Sequence, residues 1–507
     1  MRSRGARKRY AAIQVVDLMK SRSTARKPSV ATQPSGLLLL FLFVALVSLT
    51  GGGSRSDIES LPWLRGLAVL FAGYALATMP AGALKPYRIP LFLILFLGLW
   101  MLVQQVPLPY ELWSSLPGRE IVVELDQQLG LQQNWRPISL VPSHSMNSFL
   151  ALTVPLAALL VAVSVPLRQR QLLWWAIWCF GLSTAALSML QLVGGAGSAA
   201  YLYRITNGDS LVGLFSNRNH NAFLLALAII AAGWLAHLEL LSPKRRNILL
   251  LACWGSIAAF LMIILAIGSR QGFLTGLLGL ITAYGLFLMA YQKRPPKRPR
   301  QTTKALPVKT EPVTSAGRRR FFTFGIPMLA VGLLVILFYL SERSNSISRL
   351  AGERGADEIR LQALPKILEL VQTHWLFGSG FGSFPRVFQV VEPDGMLSPT
   401  YLNHAHNDWL QLPIEGGLPA VSVLVCMLIW LAAKFFRPGV APASPVASQS
   451  LERFAIGAAF LAYLVASLVE YPLRTPSLAA VAVVFLVLLQ STWEQQVDDQ
   501  MPFGSKV

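Results

Sequence analysis

Charge is scarce in this 507-residue chain: Asp, Glu, Lys and Arg together make up 13% of it. A water-solvated domain of that length needs a charged surface, so the scarcity excludes an ordinary soluble globule. With 54% hydrophobic residues, lipid becomes the main solvent. Cysteine is nearly absent. Cys179, Cys253 and Cys426 all fall inside apolar runs, which argues against a disulfide framework or a thiolate zinc site. Acidic residues are few as well, 24 against 44 Lys and Arg, giving a formal net charge of +20. Such an excess raises nucleic acid as a partner, but its placement argues otherwise. Nine of the basic residues lie in the first 36, and ten lie between Lys293 and Arg320. No aromatic side chains interleave with the second cluster, as a reader of bases requires. Both clusters read as cytoplasmic flanks facing anionic lipid, so membrane lipids and no nucleic acid are the expected partners.

What is present is a series of apolar runs. A spanning helix needs about 20 mostly apolar residues. The runs at 37–50, 61–79, 89–106, 148–165, 172–193, 219–238, 248–267, 272–291, 321–340, 413–433, 453–470 and 474–491 predict an all-α polytopic membrane protein with about twelve spans. The first reads as a retained span, because no small-residue cleavage site follows it. The loops after every second span are basic: Lys85 and Arg88; Arg168 and Arg170; Lys244, Arg245 and Arg246; Lys293–Arg320; Lys434 and Arg437. The alternate loops are neutral or acidic. The positive-inside rule then places both termini in the cytoplasm and loops 107–147 and 341–412 on the other side.

The expected organisation is a basic tail over 1–36, a membrane domain over 37–340 and a chemistry-bearing loop over 341–412. A second membrane portion over 413–491 and a cytoplasmic tail over 492–507 complete it. Within the first membrane domain, 107–147 is an external loop with a short amphipathic helix near Gly118–Gly130. Segment 292–320, rich in Pro, Lys, Arg and Thr, is expected to be disordered. Apolar residues at 364, 367, 368 and 371 predict a helix over Glu358–Thr373 lying on the membrane surface, with Pro365 bending it or opening its first turn. The span centres hold almost no ionisable residues, which argues against an ion-coupled transporter. The ionisable residues gather at the outer ends instead: Arg218, His220, Arg270, Glu415 and Glu470, with Glu470 and Arg474 expected to pair locally.

Three polar stretches punctuate this pattern. One is Gly213-Leu214-Phe215-Ser216-Asn217-Arg218-Asn219-His220-Asn221. Another is the tight turn Gly268-Ser269-Arg270-Gln271-Gly272. The longest runs from Arg360 through Gly378-Ser379-Gly380-Phe381-Gly382 to Asn403-His404-Ala405-His406-Asn407-Asp408 and on to Glu415-Gly416-Gly417. The glycines at 378–382 are not a nucleotide loop, since no Lys-Ser/Thr follows them.

Together these stretches resemble the O-antigen ligase and O-antigen polymerase superfamily of bacterial membrane enzymes, most clearly from about Gly213 to Ala420. The resemblance implies a GT-C-like fold in the inner membrane. It also implies an undecaprenyl-diphosphate-linked glycan donor and, as acceptor, lipid A core or a growing polysaccharide, with no cofactor and no metal. It assigns the loop histidine to His406 and the functional arginines to Arg270 and Arg360, with Arg218 a further match. His404, Asn407, Asp408 and Glu415 become candidates for orienting the histidine or binding sugar hydroxyls. The family's ligase pattern expects Gly417, and then Gly, Thr or Tyr where this chain has Ala420, so ligation and polymerisation both stay open.

The residue chemistry agrees with that assignment. Guanidinium groups match the oxygens of a departing diphosphate. Histidine has the natural pKa for drawing a proton from a sugar hydroxyl. Two other classes remain: a transporter of the bicarbonate type, and a non-catalytic component of a polysaccharide assembly machine.

Overall fold

The computed structural model describes residues 34–244, 246–292, 354–397, 401–436 and 447–500. The chain begins with α1 (Pro34–Thr50), α2 (Ser60–Thr78) and α3 (Arg88–Val103). A loop follows that holds β1 (Pro107–Leu108), α4 (Tyr110–Ser114), α5 (Glu120–Leu129) and β2 (Arg136–Pro137). Then come α6 (Pro142–Ala151), α7 (Thr153–Ser164), α8 (Leu172–Gly194), α9 (Arg218–Leu241), α10 (Asn247–Ile267) and α11 (Arg270–Gln292). The remaining described helices are α12 (Arg354–His374), α13 (Phe384–Val391), α14 (Asp408–Phe436), α15 (Ala447–Ala466) and α16 (Pro476–Gln500).

The protein is an all-α polytopic membrane protein. Among the described residues nine helical stretches are long and apolar enough to cross a bilayer, α6 and α7 together forming one. α1 is apolar but shorter, and α15, which carries Glu452 and Arg453 in its second turn, is not one of the nine. The expected span at 321–340 and the basic segment 293–320 lie outside the described residues. All three cysteines are free.

α9 is the axis of the bundle. Its apolar residues point in every direction, and from Ala222 to Trp234 each is fully buried. A helix apolar all round must be enclosed by other helices. α11 lies closest, because Gly272 and Gly279 present no side chain to Ala222 and to Ala226 and Ile229. In lipid, such close backbone approach replaces the hydrophobic drive that joins helices in water. This packing brings the first turns of α9 and α11 to the same end.

Hydrogen bonds tie several loops together at that end. Ser477 N–H donates to Gly51 O (3.0 Å), Ser216 N–H to Gly52 O (3.1 Å), Leu140 N–H to Ser379 O (2.8 Å) and Asp408 N–H to Ser467 O (2.9 Å). The alternation of basic loops requires these connections to share one face, and they do.

Loop 107–147 holds a helix where its pattern predicts one, closed by Gly130 in the left-handed conformation. The other loop has a small core of its own. Ala363, Ile367 and Leu370 of α12 pack with Phe384, Phe388 and Ile414, while Leu361, Leu364 and Leu368 face outward. The expected apolar stripe is therefore split between that core and the surface, and α12 runs through Pro365. The last long loop ends earlier than the apolar run suggests, because α14 starts at Asp408 rather than near 413.

Candidate functional site

The site is organised by a break in a helix. Pro419 has no N–H to give Glu415 O, and Gly417 adopts φ 61°, ψ −162°, a conformation open essentially to glycine alone. The carbonyls freed on α14 find other donors. Ser379 N–H takes Ile414 O (2.8 Å) and Gly380 N–H takes Glu415 O (3.0 Å). The Gln104 amide also donates to Glu415 O (3.0 Å), and the Trp100 indole to Gly416 O (2.7 Å). The glycines at 378–382 thus serve to bring backbone against backbone. A Cβ on Gly378 would meet the Glu415 carbonyl.

One turn before the break, the Glu415 side chain is fully buried. It accepts from Arg474 Nη1 (2.7 Å) and from the Gln411 amide (2.9 Å). Arg474 also holds Asp408 through Nε (2.8 Å). Burial works against the Arg474 charge, but Glu415 and Asp408 more than offset it and raise its pKa. Asp408 and Glu415 therefore serve Arg474 and do not orient His406. Asn407 caps α14 instead, its Oδ1 accepting the Leu410 N–H (3.2 Å).

Gln411 also fixes the histidine loop, with Oε1 accepting the Ala405 N–H (2.9 Å) and the amide nitrogen lying 3.2 Å from His404 Nδ1. Between two pinned neighbours, Ala405 and Asp408, His406 adopts φ +50°. Among the described residues it is the one non-glycine residue with positive φ. Left-handed backbone costs a side-chain-bearing residue about 1–2 kcal/mol, and it persists where surroundings impose it.

The carboxylate that meets His406 is Glu470, in the short connection between α15 and α16. Its Oε1 lies 3.3 Å from His406 Nδ1 and accepts from Arg360 Nη2 (3.2 Å) and Asn219 Nδ2 (2.6 Å). Arg360 Nη2 also lies 3.0 Å from His406 Nδ1. Asn217 Nδ2 reaches Glu470 Oε2 at 3.5 Å, and His220 Nε2 stands 4.0 Å from the same oxygen. Glu470 is 1% exposed. Burial pushes its pKa up, but the His406 imidazole, the Arg360 guanidinium and the His220 imidazole hold it down to about 2, so it stays ionised. Glu470 and Arg474 do not pair with each other as the sequence suggests. Each serves a different partner set.

Tyr471 sits at the centre of an imidazole cluster. Its ring lies 4.0 Å from that of His404, 5.1 Å from His406 and 4.9 Å from His220, measured between centroids. His404 is half-buried, and desolvation with the nearby Arg474 charge keeps its pKa well below the ordinary histidine range. It is a neutral packing and hydrogen-bonding residue.

Of the residues singled out in the sequence, the structure joins His406 and Arg360 directly and sets His404 beside them. Arg218 is half-buried at the start of α9, its backbone N–H bound to Asn207 Oδ1 (3.1 Å). Arg270 opens α11 at the same end and is exposed. The sequence reading missed Glu470 as a partner of His406, Arg474 as the anchor of α14, and Tyr471. The available signal was a Glu-Tyr-Pro-Leu-Arg run in a connection too short to be needed for anything but a site or a turn.

A family model described as O-antigen ligase matches residues 255–425. The match supports a relationship to the O-antigen ligase/polymerase superfamily. The match spans about a third of the 507 residues and takes in Arg270, Arg360 and the histidine loop. Comparison with curated proteins gave no match. The matched segment supports O-antigen ligase-type glycan transfer in general. Glu470 and Tyr471, which contact His406, and Asn219, which donates to Glu470, lie outside the matched segment, and the fold brings them to it.

Proposed function

We propose that this protein transfers a glycan from an undecaprenyl-diphosphate carrier to a sugar hydroxyl of lipid A core or of a growing polysaccharide. The reaction is placed on the periplasmic face of the inner membrane. The observation that carries this reading is the buried, ionised Glu470 joined to both His406 and Arg360. An ionised Glu470 favours the proton on His406 Nδ1, which leaves Nε2 with a free lone pair. The acceptor hydroxyl gives its proton to Nε2 as its oxygen attacks the anomeric carbon. The bond from that carbon to the diphosphate oxygen breaks, and the electron pair leaves with the diphosphate. General base assistance of this kind contributes about 100- to 10,000-fold.

Arg360, beside His406 and with a third of its side chain exposed, is assigned to the departing phosphate. Arg270 and Arg218, at the same end, are assigned the rest of the diphosphate charge, so no metal is invoked. The alternation of basic loops supports cytoplasmic termini and a periplasmic site. Loop 341–412 is then the catalytic loop between the membrane portions 37–340 and 413–491.

A single displacement inverts the anomeric centre. The test is transfer by the purified protein in proteoliposomes holding a lipid-linked repeat unit and an acceptor oligosaccharide, with the new linkage read by NMR. Inversion agrees with the proposal, and a retained configuration overturns it.

A further inference from the structure

Away from this site, one indole carries two guanidinium groups with unequal partners. Arg119 and Arg136 both lie over the ring of Trp113, at 5.7 and 5.5 Å from its centroid. Arg136 is paired through Nε with Asp126 at 2.7 Å. Arg119 has no such partner among the described residues. It is 1% exposed, more buried than Arg136, yet its acceptors are two backbone carbonyls, of Pro117 and Ile138, and its Nε has none. The neighbouring Glu120 is exposed and accepts the Gly118 N–H (3.2 Å). Removing a guanidinium from water without a counter-charge is costly, and an anion that enters beside it recovers that cost.

The structure leaves a place for one. A narrow cleft, open to the surface, separates loop 107–147 from the end of α12. Arg119, His374, Thr373 and the Gly378 backbone line it, with Leu116 and Phe377. His374 is nearly enclosed, and burial and the Arg119 charge lower its pKa to about 4, so it stays neutral beside the cation. Around this end exposed apolar side chains stand beside the exposed carboxylates Glu111, Glu120 and Glu124. Trp375 is 50% exposed, Phe377 38% and Leu112 53%, and the i, i+4, i+8 stripe Ile121, Leu125 and Leu129 of α5 is exposed too. A buried cation behind a collar of exposed aromatic and aliphatic side chains fits an anion that carries hydrocarbon.

We infer that Arg119 and this cleft bind the phosphate of an anionic membrane lipid, whose chains lie over the collar formed by Trp375, Phe377, Leu112 and α5. The lipid holds loop 107–147 against the turn that carries Gly378, and through Gly378 against the Glu415 segment of the candidate site. The inference does not depend on which glycan reaction that site performs.

The test uses the full chain in a neutral detergent, titrated with phosphatidylglycerol. Retained lipid is counted by native mass spectrometry, and thermal unfolding is followed in parallel. Wild type is expected to retain one lipid at least tenfold more tightly than Arg119→Gln, and to unfold at a higher temperature when it is present. Inorganic phosphate at millimolar concentration should give little of that shift. An equal shift by phosphate would overturn the lipid assignment in favour of a free-anion site. Equal retention by wild type and variant would overturn the site itself. Should Arg119→Gln fail to fold, a photoactivatable phosphatidylglycerol on wild type decides. Crosslinks at 112–119 and 373–378 support the inference, and crosslinks confined to other segments contradict it.

Discussion

Glu470 Oε1 stands 3.3 Å from His406 Nδ1, although the two residues lie on opposite sides of two bundle helices in the chain order. In the proposed reaction this contact holds the proton on Nδ1, through a carboxylate supplied by a short inter-helix connection. Glu470→Gln replaces the ionised acceptor by a neutral amide. Glycan transfer should fall about 10- to 100-fold, less than the about 100- to 10,000-fold expected for His406→Ala. The double variant should be no worse than His406→Ala alone, because the carboxylate acts through the ring. Rates of the three variants in proteoliposomes at matched protein levels check this.

The ionisation of Glu470 sets a pH window. Its folded pKa, about 2, is depressed below the ordinary 4.5. A depressed carboxylate adds stability that is fully present above the unfolded pKa and is lost as pH falls through the folded value. The difference in unfolding temperature between wild type and Glu470→Gln should therefore be constant above pH 5 and shrink between about pH 4.5 and 2. A difference that grows on acidification would contradict the assignment.

Arg474 is expected to matter for stability more than for chemistry. Its removal leaves Glu415, which is fully buried, and Asp408 without a counter-charge. Breaking a buried pair in this way costs about 3–5 kcal/mol. Arg474→Ala should lower the unfolding temperature by several degrees, and adding Asp408→Asn and Glu415→Gln should restore much of it. Arg474→Lys should restore less, since an ammonium does not span two carboxylates as a fork does.

The backbone of His406 offers a separate test. At φ +50° glycine is unstrained, whereas alanine is not. His406→Gly should be more stable than His406→Ala by about 1 kcal/mol, the reverse of the usual order, with both inactive. Thermal unfolding of the two variants measures it.

Most of the membrane architecture is legible in the sequence, because an apolar run of spanning length has few alternatives to a helix. The same is true of the helix Glu120–Leu129, with its i, i+4, i+8 stripe. His406 and Arg360 are legible as a pair only through the family resemblance, since the contact joins α12 to a distant loop. Glu470 and Arg474 mislead. Four residues apart and opposite in charge, they invite local pairing, yet the connection turns at Pro472 and sends one side chain to His406 and the other to Glu415. The break at Gly417 is half visible: Pro413, Gly416, Gly417 and Pro419 announce irregularity, but the N–H groups that donate to the freed carbonyls come from the end of α3 and the Gly378 turn. Loop 341–412 reads as ending near 413 because Asp408 and Gln411 are polar, and Asp408 is held by Arg474, far away in the chain.

The most direct test of the central claim is the envelope polysaccharide profile of a deletion strain complemented with wild type, His406→Ala or Glu470→Gln. Wild type should restore the polysaccharide lost on deletion, His406→Ala should not, and Glu470→Gln should restore only a small part at equal expression. Lipid-linked full-length polymer left unattached in the deletion identifies ligation, and single repeat units identify polymerisation. Full restoration by both variants, or a deletion with an unchanged profile, would contradict the account.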